Sequence, residues 1–148
     1  MNTSFVALVQ AFGGAVGLDD LKPDENGYVC LTFDDRAVNL EERDGVVYFY
    51  TRVEDLPAEG RADLYRRLLE ANCFYRGTRG AVLGVDEALG AVLLFYQTPL
   101  SALDGVRLET ILENFVNTAE AWRKQIQAAA GGVTSASLAG PATGGVRA

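Results

Sequence analysis

Apolar positions along this chain switch between helical and strand periods. Phe5, Leu8, Val9 and Phe12 recur at helical spacing. Asn2 or Thr3 can cap that segment and Gly13-Gly14 can end it, which predicts a short amphipathic helix. The polar stretch from Gly17 to Gly27 reads as a loop. Then the period drops to two. Tyr28 to Phe33 alternates Val29, Leu31 and Phe33 against Tyr28, Cys30 and Thr32. Ala37 to Glu42 carries Val38 and Leu40 on one side, and Val46 to Val53 is rich in β-branched and aromatic residues. The tight turns Asp34-Asp35-Arg36 and Arg43-Asp44-Gly45 join these strands into an antiparallel meander.

Helical period returns after Leu56-Pro57, where proline fits a first turn. Leu64, Tyr65, Leu68, Leu69 and Cys73 mark one stripe of a helix from about Ala58 to Asn72. Ala81 to Asp86 and Ala91 to Gln97 read as two more strands. The second is apolar on both sides, which predicts burial on both. Ser101 and Asp104 have capping-box spacing ahead of a long helix through Leu108, Ile111, Leu112, Phe115, Ala119, Trp122 and Ile126, ending near Ala128. The small-residue segment 129–148 reads as a flexible tail. The expected organisation is a single α+β domain over residues 1–128, in the order α-βββ-α-ββ-α, with an antiparallel sheet and its helices on one face.

Composition narrows the function more than the fold. The chain has 148 residues, room for one domain, and no histidine. The commonest general base and zinc ligand is thereby missing, and every nucleophile–histidine pair with it. Thirteen basic against twenty acidic residues give a net charge of −7, which argues against nucleic acid as a partner. Cys30 and Cys73 are far apart, form no metal spacing and fit a reduced setting; Cys73, on the apolar stripe, reads as a core residue. The opening lacks the basic region of a signal peptide, so Asn2-Thr3-Ser4 carries no weight as a glycosylation site, and no apolar run is long enough for membrane insertion. A cytoplasmic protein without cofactor or metal is expected.

Three local features invite chemistry. Asp34-Asp35 and Glu41-Glu42 are paired acids, but neighbours on a strand point to opposite faces and both pairs flank turns. Gly77-Thr78-Arg79-Gly80 is glycine-rich, yet it lacks the Lys-Ser/Thr ending of a phosphate loop and precedes a strand. No catalytic residue is expected. An acid–base enzyme built on Asp34, Asp35 or Glu41 is the weakest of three readings. What is left over is apolar surface, which suits a protein that holds another polypeptide.

The element order, the run LLEANCFYRGTRGAVLGVDEALGAVLLFYQTPL (Leu68 to Leu100) and the closing helix LETILENFVNTAEAWRKQI (Leu108 to Ile126) resemble the class I type III secretion chaperones, the Tir-chaperone (CesT-like) family. The resemblance implies a cytosolic bacterial homodimer that binds the amino-terminal segment of a secreted effector, keeps it extended, and delivers it to the secretion ATPase. It places dimer contacts on Leu64, Leu68, Tyr75, Val82, Leu93 and Phe95. It places effector contacts on the first helix and the meander, at Phe5, Val9, Leu31, Phe33, Val38, Leu40, Phe49 and Tyr50. The alternative reading is a regulatory or adaptor domain of the same fold that pairs with a folded partner.

Overall fold

The computed structural model describes residues 2–139, with side-chain surroundings through residue 130. Helix α1 spans Thr3–Ala15; strands β1 (Tyr28–Phe33), β2 (Arg36–Arg43) and β3 (Val46–Asp55) follow. Helix α2 (Arg61–Asn72), strands β4 (Val82–Asp86) and β5 (Ala91–Pro99) and helix α3 (Gly105–Ala139) complete the chain. The five strands form one antiparallel sheet in the order β1-β2-β3-β5-β4. This is the expected α+β class.

Strand parity builds the core. Val29, Leu31, Val38, Leu40, Val47, Phe49, Val53, Leu83, Val92 and Leu94 turn to one face and are buried there. All three helices pack onto that face. They contribute Phe5, Leu8, Val9 and Phe12 from α1, Leu64 and Leu68 from α2, and the expected 3-4 stripe of α3 from Leu108 to Ile126. Phe49 sits at the centre, its ring against Tyr96 and Phe115 at 5.6 and 6.1 Å. One charged clamp reinforces the layers. The buried Arg36 donates from Nε and Nη2 to Glu120 Oε2 at 3.0 and 2.7 Å, and from Nη1 to the Arg52 carbonyl at 2.7 Å. Arg123 holds the other carboxylate oxygen.

Several boundaries differ from the sequence expectation, each for a local reason. Asn2 caps α1, as expected, by accepting from the Ser4 and Phe5 amides, but the end of the helix differs. The helix runs through Gly13 and Gly14, and Gly13 is there for space: a Cβ would lie 2.5 Å from the Leu18 carbonyl oxygen. Helix α2 starts at Arg61, after Gly60 in the left-handed region, so Pro57 lies in the preceding loop. The α3 cap is Asp104, which accepts from the Arg107 amide at 2.7 Å, while Ser101 lies in a short 3-10 turn (Leu100–Ala102). Helix α3 continues past Ala128 to Ala139; Ala128, Ala129 and Ala130, strong helix formers, favour the first part of that continuation. Residues 140–148 of the expected tail lie outside the described residues.

Candidate functional site

The sheet has one covered face, one bare face and two edges. The bare face divides into two halves of different chemistry. Over β1–β3 it is polar and aromatic, with Tyr28, Cys30, Thr32, Asn39, Glu41, Tyr48 and Tyr50. These groups hold one another: the Tyr28 hydroxyl donates to Asn39 Oδ1, Asn39 Nδ2 donates to the Tyr50 carbonyl, and Glu41 pairs with Arg43 at 3.0 Å. Burial raises the Tyr28 hydroxyl pKa; burial and then Glu41 raise that of Tyr50. Both therefore stay protonated donors through the neutral range.

Over β4–β5 the bare face is apolar. Val82 stands opposite Phe95 and Gly84 opposite Leu93. Gly84 leaves room for the Phe95 ring, which a Cβ there would meet at 3.0 Å. Phe95 is 40% exposed and Val82 42%. The link from α2 into β4 adds Phe74 and Tyr75, exposed by 85% and 55%. Both sit at positive φ, near 55° and 56°. Bulky side chains rarely take that conformation, at a cost of about 1–3 kcal/mol each.

The edges differ too. On β4, the Asn72 side chain takes the place of a further strand: it accepts from the Leu83 amide at 2.8 Å and donates to the Leu83 carbonyl at 2.9 Å. On β1, the Tyr28 amide donates to Asp24 Oδ1 at 3.0 Å, and the Asp24 backbone amide donates to the Tyr28 carbonyl at 2.8 Å. The Glu42 amide bonds the Gly27 carbonyl, so Val29, Leu31 and Phe33 face β2 with their backbone groups. The N–H and C=O groups of Cys30 and Thr32 consequently point away from the sheet.

Against this geometry the expected contact residues sort cleanly. Of the dimer set, Tyr75, Val82, Leu93 and Phe95 lie at the bare β4–β5 end, while Leu64 and Leu68 are interior. Of the effector set, Phe5, Val9, Leu31, Val38, Leu40 and Phe49 are interior and have no surface to offer. The reason is parity: these side chains belong to the more apolar face of each element, and that face is the one the helices cover. Phe33 and Tyr50 are half-buried, but on opposite faces of the sheet. Cys73 is exposed, because the helix ends at Asn72 and the left-handed residues after it turn the chain off the stripe. Strand β5 is covered on one side as expected, while Leu93 and Phe95 on the other side stay open to solvent. The sequence reading missed Phe74 and did not locate the open edge on β1; it put Leu69 on the apolar stripe of α2, where Leu69 is instead 71% exposed. Two adjacent aromatics in a Gly/Arg-rich link were the available signal for Phe74.

The acids do not converge. Asp34 is at positive φ in its turn, Glu41 is paired with Arg43, and Glu42 accepts from the Gly45 amide at 2.8 Å. Among the described residues no group of three Asp, Glu, Cys or His side chains could hold a metal. Nor is any described helix long and apolar enough to cross a membrane.

An antiparallel sheet covered on one face by three helices, with an apolar end on the other face, makes this a small α+β module. The comparisons with known proteins give it a family. The model of the Tir chaperone protein (CesT) family matches residues 7–123, and the chain belongs to that family of type III secretion chaperones. Among solved structures, a chain of the ExsC–ExsE complex is 26% identical, with a TM-score of 0.74 over 85% of this chain and 96% of that one. A chain of the ExoT–SpcS complex from Pseudomonas aeruginosa is also 26% identical, with a TM-score of 0.62 over 81% and 97%. A chain of the structure of the Yersinia pestis type III secretion chaperone SycH in complex with a stable fragment of YscM2 is similar in fold, at 23% identity and a TM-score of 0.63 over 78% and 96%. No curated protein matches the sequence significantly.

Proposed function

We propose that this protein is a cytoplasmic homodimeric chaperone that binds the amino-terminal segment of a secreted effector, keeps it extended, and passes it to the secretion ATPase. The observation that carries the reading is membership of the Tir chaperone family, matched over residues 7–123. The neighbours agree with it, since the ExoT–SpcS and ExsC–ExsE structures are themselves complexes of two proteins. The physical logic is consistent. An extended segment has its ordering entropy still to lose, so it needs a long contact surface and backbone pairing to be held. The outward N–H and C=O groups of Cys30 and Thr32 offer such pairing on β1.

Dimerisation is assigned to the other end of the sheet. Phe74, Tyr75, Val82, Leu93 and Phe95 form an apolar surface that a single chain leaves open, and a twofold pairing of identical patches would cover it. The chain has no catalytic role in this reading.

Two substitutions test the two ends separately. Phe95→Glu puts a charge into the proposed interface on an exposed position, and native mass spectrometry should then find monomer. Thr32→Pro removes one outward N–H on an edge strand, where proline is tolerated, and should weaken capture of the secreted partner while the dimer persists. Unchanged dimer mass for Phe95→Glu refutes the interface, and unchanged capture for Thr32→Pro refutes the edge.

A further inference from the structure

A cleft of about 180 Å³ opens where the link into β4 meets the first turns of α3. It is lined by the polar Thr78, Arg79, Arg107 and Asn114 and by the aromatic rings of Tyr96 and Phe115. None of the residues lining it is acidic. In a chain of net charge −7 this is a local reversal of sign. Neither arginine has a carboxylate within 4.0 Å among the described residues, although six other arginines do. Among the described residues Arg79 reaches only Asn114 Oδ1, at 3.5 Å, and the Asn114 side-chain amide nitrogen makes no bond of its own.

Thr78 supplies a second, independent sign of a ligand. Thr78 is 1% exposed, and its hydroxyl has no hydrogen-bond partner among the described residues. The other threonine hydroxyls of the cleft have spent their protons on the helix: Thr110 donates to the Val106 carbonyl and Thr118 to the Asn114 carbonyl. The buried Thr78 hydroxyl is thus an idle donor beside two unpaired guanidiniums. Buried polar groups are almost always satisfied, and what would satisfy this one is an acceptor. The chain is bent to present these groups, with Arg79 at φ 54° and Gly80 at 89°.

We propose that this cleft is a binding site for a carboxylate on a short apolar stem. Guanidiniums grip a carboxylate in paired hydrogen bonds, and the Thr78 hydroxyl completes the set of donors. The stem lies on Tyr96 and Phe115, rings that a bare inorganic ion would not use. The volume is well below the roughly 300–1,000 Å³ of pockets for drug-sized ligands, so it suits one group rather than a large molecule. The same chemistry is offered by a glutamate or aspartate side chain of a bound polypeptide and by a free small organic acid.

The test is an NMR titration of the ¹⁵N-labelled full-length protein with N-acetyl-glutamate methylamide, glutarate and the neutral N-acetyl-glutamine methylamide. Saturable shifts are expected for Thr78, Arg79 and Arg107 with both carboxylates and not with the glutamine compound. Arg107→Gln and Arg79→Gln, both at exposed positions, should each weaken the response about tenfold, the worth of a charge-assisted bond. Thr78→Val should weaken it too. Tighter binding of the glutamate compound than of glutarate assigns the site to a peptide side chain, and the reverse order assigns it to a free acid. Equal shifts with the glutamine compound, no saturable shift with either acid, or unchanged affinity in both arginine variants overturns the proposal.

Discussion

Removing Glu120 would test how the covered face is held together. Arg36 is one of the few charged side chains inside this fold, 5% exposed against 28% for Glu120. In Glu120→Ala the guanidinium keeps its bond to the Arg52 carbonyl but loses the two to the carboxylate. Breaking a fully buried ion pair from one side costs about 3–5 kcal/mol. Solvent reaches Glu120, and one strong acceptor survives on Arg36, so the expected loss is about 2 kcal/mol, within the range for hydrogen bonds to charged groups. At about 2–4 °C per kcal/mol for a chain of this size, Tm should fall by about 4–8 °C. The assay is urea unfolding and thermal melting followed by circular dichroism, at fixed protomer concentration because the stability of the proposed dimer would depend on it. A companion variant separates charge from packing. Arg36→Met/Glu120→Leu removes both partners and should lose less than Glu120→Ala does.

The same contact predicts a pH dependence. Hydrogen bonds from Arg123, then from Arg36, hold the Glu120 carboxyl below its ordinary value of 4.5. A carboxylate depressed in the folded state contributes stability that is complete above its unfolded pKa. That contribution is lost as pH falls through the folded value. The gap between wild type and Glu120→Ala should therefore be full at neutral pH and close below about pH 4.5. A loss under about 0.5 kcal/mol at neutral pH, the level of an ordinary surface change, would refute the reasoning.

Three further outcomes are expected. Phe49→Ala should cost about 3–5 kcal/mol, as for a fully buried aromatic, whereas its neighbour Tyr50→Ala on the bare face should cost about 1 kcal/mol; similar losses in urea unfolding would contradict the face assignment. Trp122→Phe strips the donor from the Gly77 carbonyl, now bonded at 2.8 Å, and should lose about 1–3 kcal/mol by the same assay. We propose that the segment after the domain is dispensable for folding: deleting residues 131–148 should move Tm by no more than about 2 °C, the effect of a surface change.

Much of the architecture was legible in local pattern. Period-two alternation and the turns at Asp34-Asp35 and Asp44-Gly45 located β1, β2 and β3 to within two residues at either end. The 3-4 stripe from Leu108 to Ile126 announced α3. What alternation cannot say is which face of a sheet is covered. It showed that Leu31 and Phe49 share parity classes with other apolar residues, but their burial follows from where α1 and α3 dock, which is a tertiary fact. The more apolar parity took the core, and the weaker one, with Tyr50, Leu93 and Phe95, was left outside. Cys73 and Phe74 were illegible for another reason. Nothing in their residue types signals a left-handed backbone, which arises from the geometry of joining α2 to β4. The Thr78–Arg107 cleft joins residues 29 positions apart, and no spacing rule connects them.

The most direct test of the account is the stoichiometry and protection pattern of the complex with a secreted partner. The full chain would be purified together with that partner from its own cells. Native mass spectrometry would then give the composition, and limited proteolysis the protected region. Two copies of this chain to one partner are expected, with protection confined to one extended segment near the partner's amino terminus. A one-to-one complex with a partner that is folded and protected throughout would contradict this and favour an adaptor domain of the same fold.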